Sequence, residues 1–155
     1  IHFAQIDKLE ILKLFNEILV SVEVYSEVTK EGKFGSEKIK SIKNIIIKRL
    51  NETGRGLARR LQATYELDLG EATSLAVAQQ EKIRLFVTDD LDAREVGKFL
   101  GFEVHGTLGI ILRAFREKML SKENVIETVK KLKSDSTVYI TEDLVKHIID
   151  EVNKS

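Results

Sequence analysis

The sequence contains no cysteine and no proline, and its 25 basic and 25 acidic residues give a formal net charge of zero. Without cysteine there is no disulfide and no thiolate ligand, so a bound metal ion must be held by oxygen or histidine. No segment approaches the roughly 18 apolar residues of a membrane span, and the N-terminus lacks the pattern of a secretory signal. We therefore expect a soluble, cytoplasmic protein that does not enter a membrane.

The length and composition limit the size of the core. A chain of 155 residues with 43% hydrophobic content can bury one core, so we expect a single domain covering residues 1–155. The absence of proline beside abundant Lys, Glu and Ile is typical of thermophile proteins, in which ion-pair networks become more favourable with temperature.

The zero net charge hides an uneven distribution. Residues 30–60 contain ten basic and three acidic residues, a net charge of +7 that the rest of the chain balances. This stretch predicts an anionic partner, although its basic side chains could equally form the solvated face of amphipathic helices. The side chains in question are Lys38, Lys40, Lys43, Lys48, Arg49, Arg55, Arg59 and Arg60.

Strand-like and helical segments alternate along the chain, which favours parallel strands covered by crossover helices. In the basic stretch, the spacing of Ile39, Ile42, Ile46 and Leu50 predicts one helix from about residue 36, although the triplet at 45–47 alone could be a strand. The predicted strands are 17–20, 84–88 and 102–104. Ser21 is the predicted cap of a helix at 22–32. The other main helices are predicted at about 68–82, about 90–100, 107–118, 122–133 and 141–152.

Acidic residues are concentrated where two predicted helices begin. Asp68 and Glu71 stand at N-cap and N3 spacing, and the strand that ends at Thr88 is followed at once by Asp89 and Asp90. Capping alone would explain them, because carboxylates accept the free N–H groups of a helix N-terminus and complement its dipole. The alternative is a divalent-ion site, because Mg²⁺ and Mn²⁺ prefer oxygen ligands and ligands gather at strand carboxyl ends.

Four segments carry a family resemblance. They are DKLEILKLFNEILVSVEVYSEV (residues 7–28), LDLGEATSLAVA (67–78), LFVTDDLDAREVGKFLGFEVHGTLGIILRA (85–114) and VYITEDLVKHII (138–149). Together they resemble the PIN-domain family, and within it the VapC-like toxins of prokaryotic toxin–antitoxin pairs. The resemblance covers nearly the whole chain apart from residues 32–65, and the order of the GEA, TDD and HGTLG motifs makes it specific.

The resemblance implies an α/β, Rossmann-like PIN fold in which helices cover both faces of a parallel sheet, with a basic helical insertion at about residues 33–65. It also implies an endoribonuclease that depends on Mg²⁺ or Mn²⁺. Glu27, Glu71 and Asp90 match the family's acidic residues and are the implied catalytic metal ligands, and Asp89 shares the role of Asp90. The secondary candidates are Thr88, Thr107 and Arg94; Arg94 could simply pair with Asp90 four residues before it.

The family pattern begins with a strand that supplies a first aspartate, and we expect that strand upstream of Ile1. RNA is the implied substrate, and the basic stretch would contact its phosphates more than its bases, because aromatic residues are scarce there. In the toxin subgroup an antitoxin protein covers the acidic pocket and the toxin forms a homodimer, so both partners are expected from the resemblance.

Two other functions remain open at this point. An inactive PIN-like module could use the basic stretch to bind RNA or a protein. A receiver-like signalling domain would need a lysine at a late strand end opposite the acids, and neither Val104 nor its neighbours supply one.

Overall fold

The computed structural model describes residues 1–154, which form helices and short parallel strands, so the predicted α/β class is confirmed. A 3₁₀ helix covers Leu9–Leu14. The strands are β1 (Ile18–Ser21), β2 (Ile45–Lys48), β3 (Leu85–Val87) and β4 (Glu103–His105). The α-helices are α1 (His2–Gln5), α2 (Val22–Val28), α3 (Ser36–Lys40), α4 (Glu52–Tyr65), α5 (Leu69–Gln80), α6 (Leu91–Phe99), α7 (Thr107–Arg116), α8 (Lys122–Asp135) and α9 (Glu142–Lys154).

The described chain divides into two compact units. The segment Phe15–Gly106 contains the four strands and helices α2 to α6, and we call it the strand unit. Residues 1–14 and 107–154 contain the remaining helices, and we call them the helical unit. No helix within residues 1–154 is both long and apolar enough to cross a membrane.

The strands of the strand unit form two parallel pairs. Strand β1 pairs with β2, with Ile18 opposite Ile45, and β3 pairs with β4, with Leu85 opposite Glu103. Parallel pairing was predicted, but the described strands form two separate ladders in place of one continuous sheet. Helix α5 packs against both β1 and β3, so one helix covers a strand from each pair.

The predicted helix from about residue 36 to Leu50 is wrong in its second half. Helix α3 ends at Lys40, and Ile45–Lys48 is strand β2. The isoleucine spacing fits a helix, but three consecutive β-branched residues fit an extended chain better, and pairing with β1 supplies the backbone hydrogen bonds.

Helix α2 ends earlier than predicted. The Thr29 backbone N–H and the Thr29 hydroxyl both donate to the carbonyl oxygen of Tyr25, at 3.0 and 2.6 Å, and close the helix after Val28. Gly32, which was the predicted helix end, lies in the following loop with a φ of 80°. The helix is therefore shorter by about one turn, and residues 29–35 connect it to α3.

Helix α5 lies at the centre of the strand unit. Five of its apolar residues, Ala72, Leu75, Ala76, Val77 and Ala78, are buried and belong to one hydrophobic cluster. Because these residues point in several directions around the helix, α5 is enclosed and contacts α2, α4, α6 and both strand pairs. Small residues permit this close packing, and the N-terminus of this enclosed helix has a fixed position.

In the helical unit, α8 packs against α1, α7 and α9. Its buried face consists of Val125, Thr128, Val129 and Leu132, at the spacing expected for one side of a helix. Thr128 is fully buried, and its hydroxyl has no hydrogen-bond partner among residues 1–154. An unsatisfied buried hydroxyl lowers the stability of the native state.

Thr128→Val should raise the free energy of unfolding by about 1 kcal/mol, because it replaces the unpartnered hydroxyl with a methyl group of similar shape. Thr73→Val is the matched control. Thr73 is also a buried helical threonine, but its hydroxyl donates to the carbonyl of Leu69 at 2.8 Å and lies 3.0 Å from the buried Ser21 hydroxyl, so this variant should lose about 1–3 kcal/mol. Urea unfolding measures both, and a destabilised Thr128→Val would contradict the assignment.

Candidate functional site

A chain of hydrogen bonds fixes the beginning of α2 relative to α5. Ser21 ends β1 and caps α2, because its side-chain oxygen accepts from the backbone N–H of Val24 at 3.2 Å. The Ser21 and Thr73 hydroxyl oxygens are 3.0 Å apart, and both residues are buried. The single hydroxyl proton of Thr73 goes to the carbonyl of Leu69, so Ser21 donates to Thr73.

Glu27 lies on α2 and reaches the first turn of α5. Its Oε2 atom is 3.7 Å from the point where a Cβ on Gly70 would lie, and Val24 is 3.2 Å from the same point. The other carboxylate oxygen, Oε1, accepts a hydrogen bond from the Nζ of Lys33 at 2.9 Å. The structure therefore places Glu27 beside the residue that precedes Glu71. A Cβ at position 70 would make an ordinary contact with Glu27 and a tight one with Val24.

Glu71 occupies the N3 position of α5, and the predicted capping box with Asp68 is present. Its Oε2 atom accepts from the backbone N–H of Asp68 at 3.0 Å. Burial raises the pKa of the Glu71 carboxyl, and the negative charges of Asp90, Asp68 and Asp92 raise it further against the opposing effect of that hydrogen bond. Three aspartates around the starts of α5 and α6 thus lie close enough to act on the charge of Glu71.

Asp90 is the N-cap of α6, where its Oδ1 accepts from the backbone N–H of Ala93 at 2.8 Å. Thr88 supports this turn, because its hydroxyl oxygen accepts from the backbone N–H of Asp90 at 3.2 Å. The capping explanation from the sequence is therefore correct for the local structure of Asp90. It does not exclude a second role, because a carboxylate has two oxygens.

Asp89 and Arg94 lie beside the Gly106 turn at the end of β4. The Oδ1 of Asp89 is 2.6 Å, and the Nη1 of Arg94 is 3.4 Å, from the position of a Cβ on Gly106. A side chain at position 106 would displace the Asp89 carboxylate. Thr107 is buried at the first position of α7 in the helical unit, so its role as a site residue stays a prediction.

The structure brings the predicted acids together only in part. Among residues 1–154, no three His, Asp or Glu side chains are arranged to hold a metal ion. Glu71 and Asp90 interact electrostatically, and Glu27 lies at Gly70, but each directs one oxygen to a donor within the protein. The other oxygen of each carboxylate does not take part in these bonds: Oε2 of Glu27, Oε1 of Glu71 and Oδ2 of Asp90.

The chemistry of these groups fits a hard divalent cation. All the candidate ligands are carboxylate oxygens, which Mg²⁺ and Mn²⁺ prefer, and the raised pKa of Glu71 shows that its neighbourhood disfavours additional negative charge. A cation between the carboxylates would relieve their repulsion. The second oxygens would have to turn toward one another to complete a ligand set.

Two features of the site were not apparent from the sequence. The partner of Glu27 is Lys33, six residues later in an irregular loop, where no periodicity indicates a contact. The buried bond between Ser21 and Thr73 joins residues 52 positions apart. Ser21 was predicted as a helix cap, but nothing in the local pattern indicated that Thr73 would bind it.

Glu71→Gln should raise the melting temperature at pH 7, because it removes a charge that burial and neighbouring carboxylates disfavour, while glutamine keeps the capping acceptor. The gain should shrink as the pH falls through the raised pKa and vanish below the ordinary value of 4.5, where Glu71 is protonated in both the native and unfolded states.

Glu81→Gln is the control, and it should change the melting temperature in the opposite direction. A hydrogen bond from Lys48, with a salt-bridge distance of 2.8 Å, lowers the pKa of Glu81, so removing this carboxylate should lower the melting temperature at pH 7. Thermal unfolding at pH 7 and pH 4 measures both variants. A Glu71→Gln gain of equal size at the two pH values would show that the charge is not its cause.

Comparison with known proteins identifies a family but no individual relative. No curated protein and no solved structure matched the chain. A family described as a PIN domain matches residues 1–154, which is nearly the full length and includes the strand ends and helix starts that carry the acids. The chain therefore belongs to the PIN-domain family.

Proposed function

We propose that this protein is an endoribonuclease that hydrolyses RNA phosphodiester bonds with the help of Mg²⁺ or Mn²⁺. PIN domains are generally nucleases and typically use divalent metals, and the family match covers the candidate site. In this proposal Glu27, Glu71 and Asp90 are the catalytic ligands, and Asp89 assists Asp90. Thr88, Arg94 and Thr107 are supporting residues.

The observation that carries the proposal is the electrostatic environment of Glu71. Burial and the charges of three aspartates raise the pKa of its carboxyl, although the capping hydrogen bond acts in the opposite direction. Capping alone does not require three aspartates around two helix starts to act against the charge of Glu71. Perturbed carboxylates of this kind are common at catalytic sites, where function maintains an arrangement that is unfavourable for stability.

The ion would supply an activated water molecule and stabilise the charge of the leaving oxygen. The protein's own contribution is to fix the ligands. Ser21 and Thr73 hold the starts of α2 and α5 together, and Thr88 holds the backbone of Asp90. Arg94 lies near Asp89 at the Gly106 turn, where a guanidinium group can bind a phosphate oxygen.

The basic stretch supports RNA as the substrate. Residues 30–60 carry a net charge of +7, and Lys33 of this stretch contacts Glu27 directly. Lysine and arginine side chains bind the phosphate backbone and release its counterions, which offsets the repulsion between RNA and the acidic site. Binding through phosphates would give affinity with little sequence preference.

One observation favours a second function. Because no three acidic or histidine side chains among residues 1–154 are arranged as a metal site, the chain could be a PIN-like module that binds RNA or a protein without cleaving RNA. The two functions make opposite predictions for the same variants. The nuclease and the binding module differ in whether RNA is cleaved, because in both of them the basic stretch binds the RNA.

Glu71→Gln and Asp90→Asn should each reduce RNA cleavage in Mg²⁺ or Mn²⁺ by about 100-fold or more, because they remove charged ligands. Both variants keep their capping acceptors, so a loss of activity cannot be attributed to unfolding of the helix starts. Asp92→Asn is the matched control, since Asp92 belongs to the same acidic surroundings but is not a proposed ligand. It should retain activity within about threefold.

The cleavage assay uses a fluorescently labelled single-stranded RNA. Addition of EDTA should stop cleavage, and excess Mn²⁺ should restore it. If a wild-type protein that binds RNA shows no metal-dependent cleavage, the binding-module function is correct and the nuclease proposal is wrong. Unchanged cleavage in both ligand variants would also contradict the proposed site.

The biological role that we propose is the toxin of a toxin–antitoxin pair, acting in the cytoplasm as a homodimer until an antitoxin protein covers the acidic site. The support for this role is the resemblance of the four sequence segments to the VapC-like subgroup. The exposed acidic side chains around α5 and α6 would offer a basic partner several charged hydrogen-bond acceptors.

Expression of the wild-type chain alone in bacterial cells should arrest growth, because a free ribonuclease toxin degrades cellular RNA. Asp90→Asn should remove the arrest at equal protein abundance, measured by immunoblot. Growth that continues normally with abundant, RNA-cleaving wild-type protein would refute the toxin role without affecting the nuclease proposal.

A further inference from the structure

The loop between α2 and α3 has a defined shape. Gly32 and Gly35 have φ angles of 80° and 77°, which glycine adopts readily and other residues rarely do. Two backbone hydrogen bonds hold successive turns, from Lys33 N–H to Lys30 O at 3.1 Å and from Ser36 N–H to Lys33 O at 3.2 Å. The two glycines therefore bracket the dipeptide Lys33–Phe34 in a turn.

Lys33 connects this loop to the acidic site. Its Nζ donates to Glu27 Oε1 at 2.9 Å, although 42% of the Lys33 side-chain surface is exposed. An ammonium group has three N–H donors, and the contact with Glu27 uses one. Two donors remain for a phosphate oxygen that approaches the carboxylates from solvent. Lys33 can therefore contact a bound anion while it holds Glu27.

Phe34 extends away from the core and is 70% exposed. Burial of a phenylalanine side chain typically contributes about 1.5–3 kcal/mol, so an exposed position gives up this stabilisation. Exposure alone does not identify a site, because Phe99 and Tyr139 are exposed as well. Phe34 differs from them because it directly follows the lysine that contacts Glu27 and lies within the basic stretch.

We infer that Lys33 and Phe34 form a subsite for single-stranded RNA, in which the Lys33 ammonium binds a phosphate and the Phe34 ring stacks on a neighbouring base. The inference rests on the proposed ribonuclease function and specifies its substrate as RNA with unpaired bases. Stacking on an aromatic ring requires an unstacked base, and it tolerates any base because each has a π face. The subsite would hold the strand beside Glu27.

A single tryptophan tests the stacking contact. The chain contains no tryptophan, so Phe34→Trp introduces one fluorescent reporter at the proposed subsite. In an Asp90→Asn background, which prevents cleavage, a single-stranded oligoadenylate should quench this emission by about half, because a stacked base quenches indole. An oligonucleotide of the same length with abasic sugars should leave the emission unchanged, since it supplies phosphates without bases.

Phe99→Trp in the same background is the control. Phe99 is 77% exposed, similar to Phe34, but it lies at the end of α6 in contact with Tyr65 and outside the basic stretch. Its emission should not change with either oligonucleotide. Equal quenching at positions 34 and 99 would indicate non-specific association and would overturn the stacking contact.

Lys33→Ala tests the phosphate contact. It should weaken oligoadenylate binding about fivefold and reduce the slope of log affinity against log salt by about 1, and Lys33→Arg should restore both. Lys131→Ala is closely matched, because Lys131 pairs with Glu127 at 2.8 Å and is 44% exposed, but lies outside the basic stretch. It should leave both quantities nearly unchanged. Equal effects of the two alanine variants would overturn the assignment of Lys33.

The outcomes separate this inference from the proposed nuclease function. Cleavage by the wild type without quenching of Phe34→Trp would overturn the subsite and leave the nuclease proposal standing. Specific quenching without cleavage by the wild type would support the subsite and assign it to an RNA-binding module. The absence of both quenching and cleavage would overturn both proposals.

Discussion

The buried hydrogen bond between Ser21 and Thr73 is the constraint on which the geometry of the candidate site depends. It joins the end of β1 to the fifth residue of α5, and the same serine caps α2. Glu27 lies on α2, and Gly70 and Glu71 lie on α5. This bond therefore helps to fix the position of Glu27 relative to Glu71. Because both residues are buried, the Ser21 hydroxyl proton would lose its acceptor if this bond broke, although Thr73 would keep its bond to Leu69, and this loss favours the observed arrangement.

Capping and metal binding are compatible uses of the same carboxylates. Asp90 and Glu71 each direct one oxygen to a backbone N–H, and these bonds fix the side chains at their helix starts. The second oxygen of each carboxylate can then act as a ligand from a restrained position. Sequence reasoning treated capping and ion binding as alternatives. Under the proposed function, the cap would be the support that holds the ligand in place.

Local signals predicted the elements that carry the site. The N-cap and N3 spacing of Asp68 and Glu71 located the start of α5, and the apolar run before Thr88 located β3. The three last helices begin within a residue of their predicted positions. These features depend on interactions between residues a few positions apart, which is the range over which sequence spacing determines structure.

Contacts between distant segments could not be predicted in the same way. Ile45–Lys48 fits both a helical and an extended pattern, and its pairing with β1, 27 positions earlier at Ile18, decides between them. The convergence of Glu27 on Gly70 likewise depends on the packing of α2 against α5. The family resemblance identified Glu27 where spacing alone indicated an ordinary exposed glutamate. It did not indicate that Lys33 would occupy one of its oxygens.

The distance over which charges act in solution determines which basic residues can assist an acidic RNA-cleaving site. At physiological salt the screening length is about 8 Å, so exposed lysines far along the basic stretch would attract a polyanion but would do little at the carboxylates themselves. Lys33 lies 2.9 Å from Glu27, well within that length. A polyanion that approaches the acids therefore meets this positive charge where the repulsion is greatest. The zero net charge of the chain gives no indication of this pairing of Lys33 with Glu27, because the pairing depends on where one loop lies.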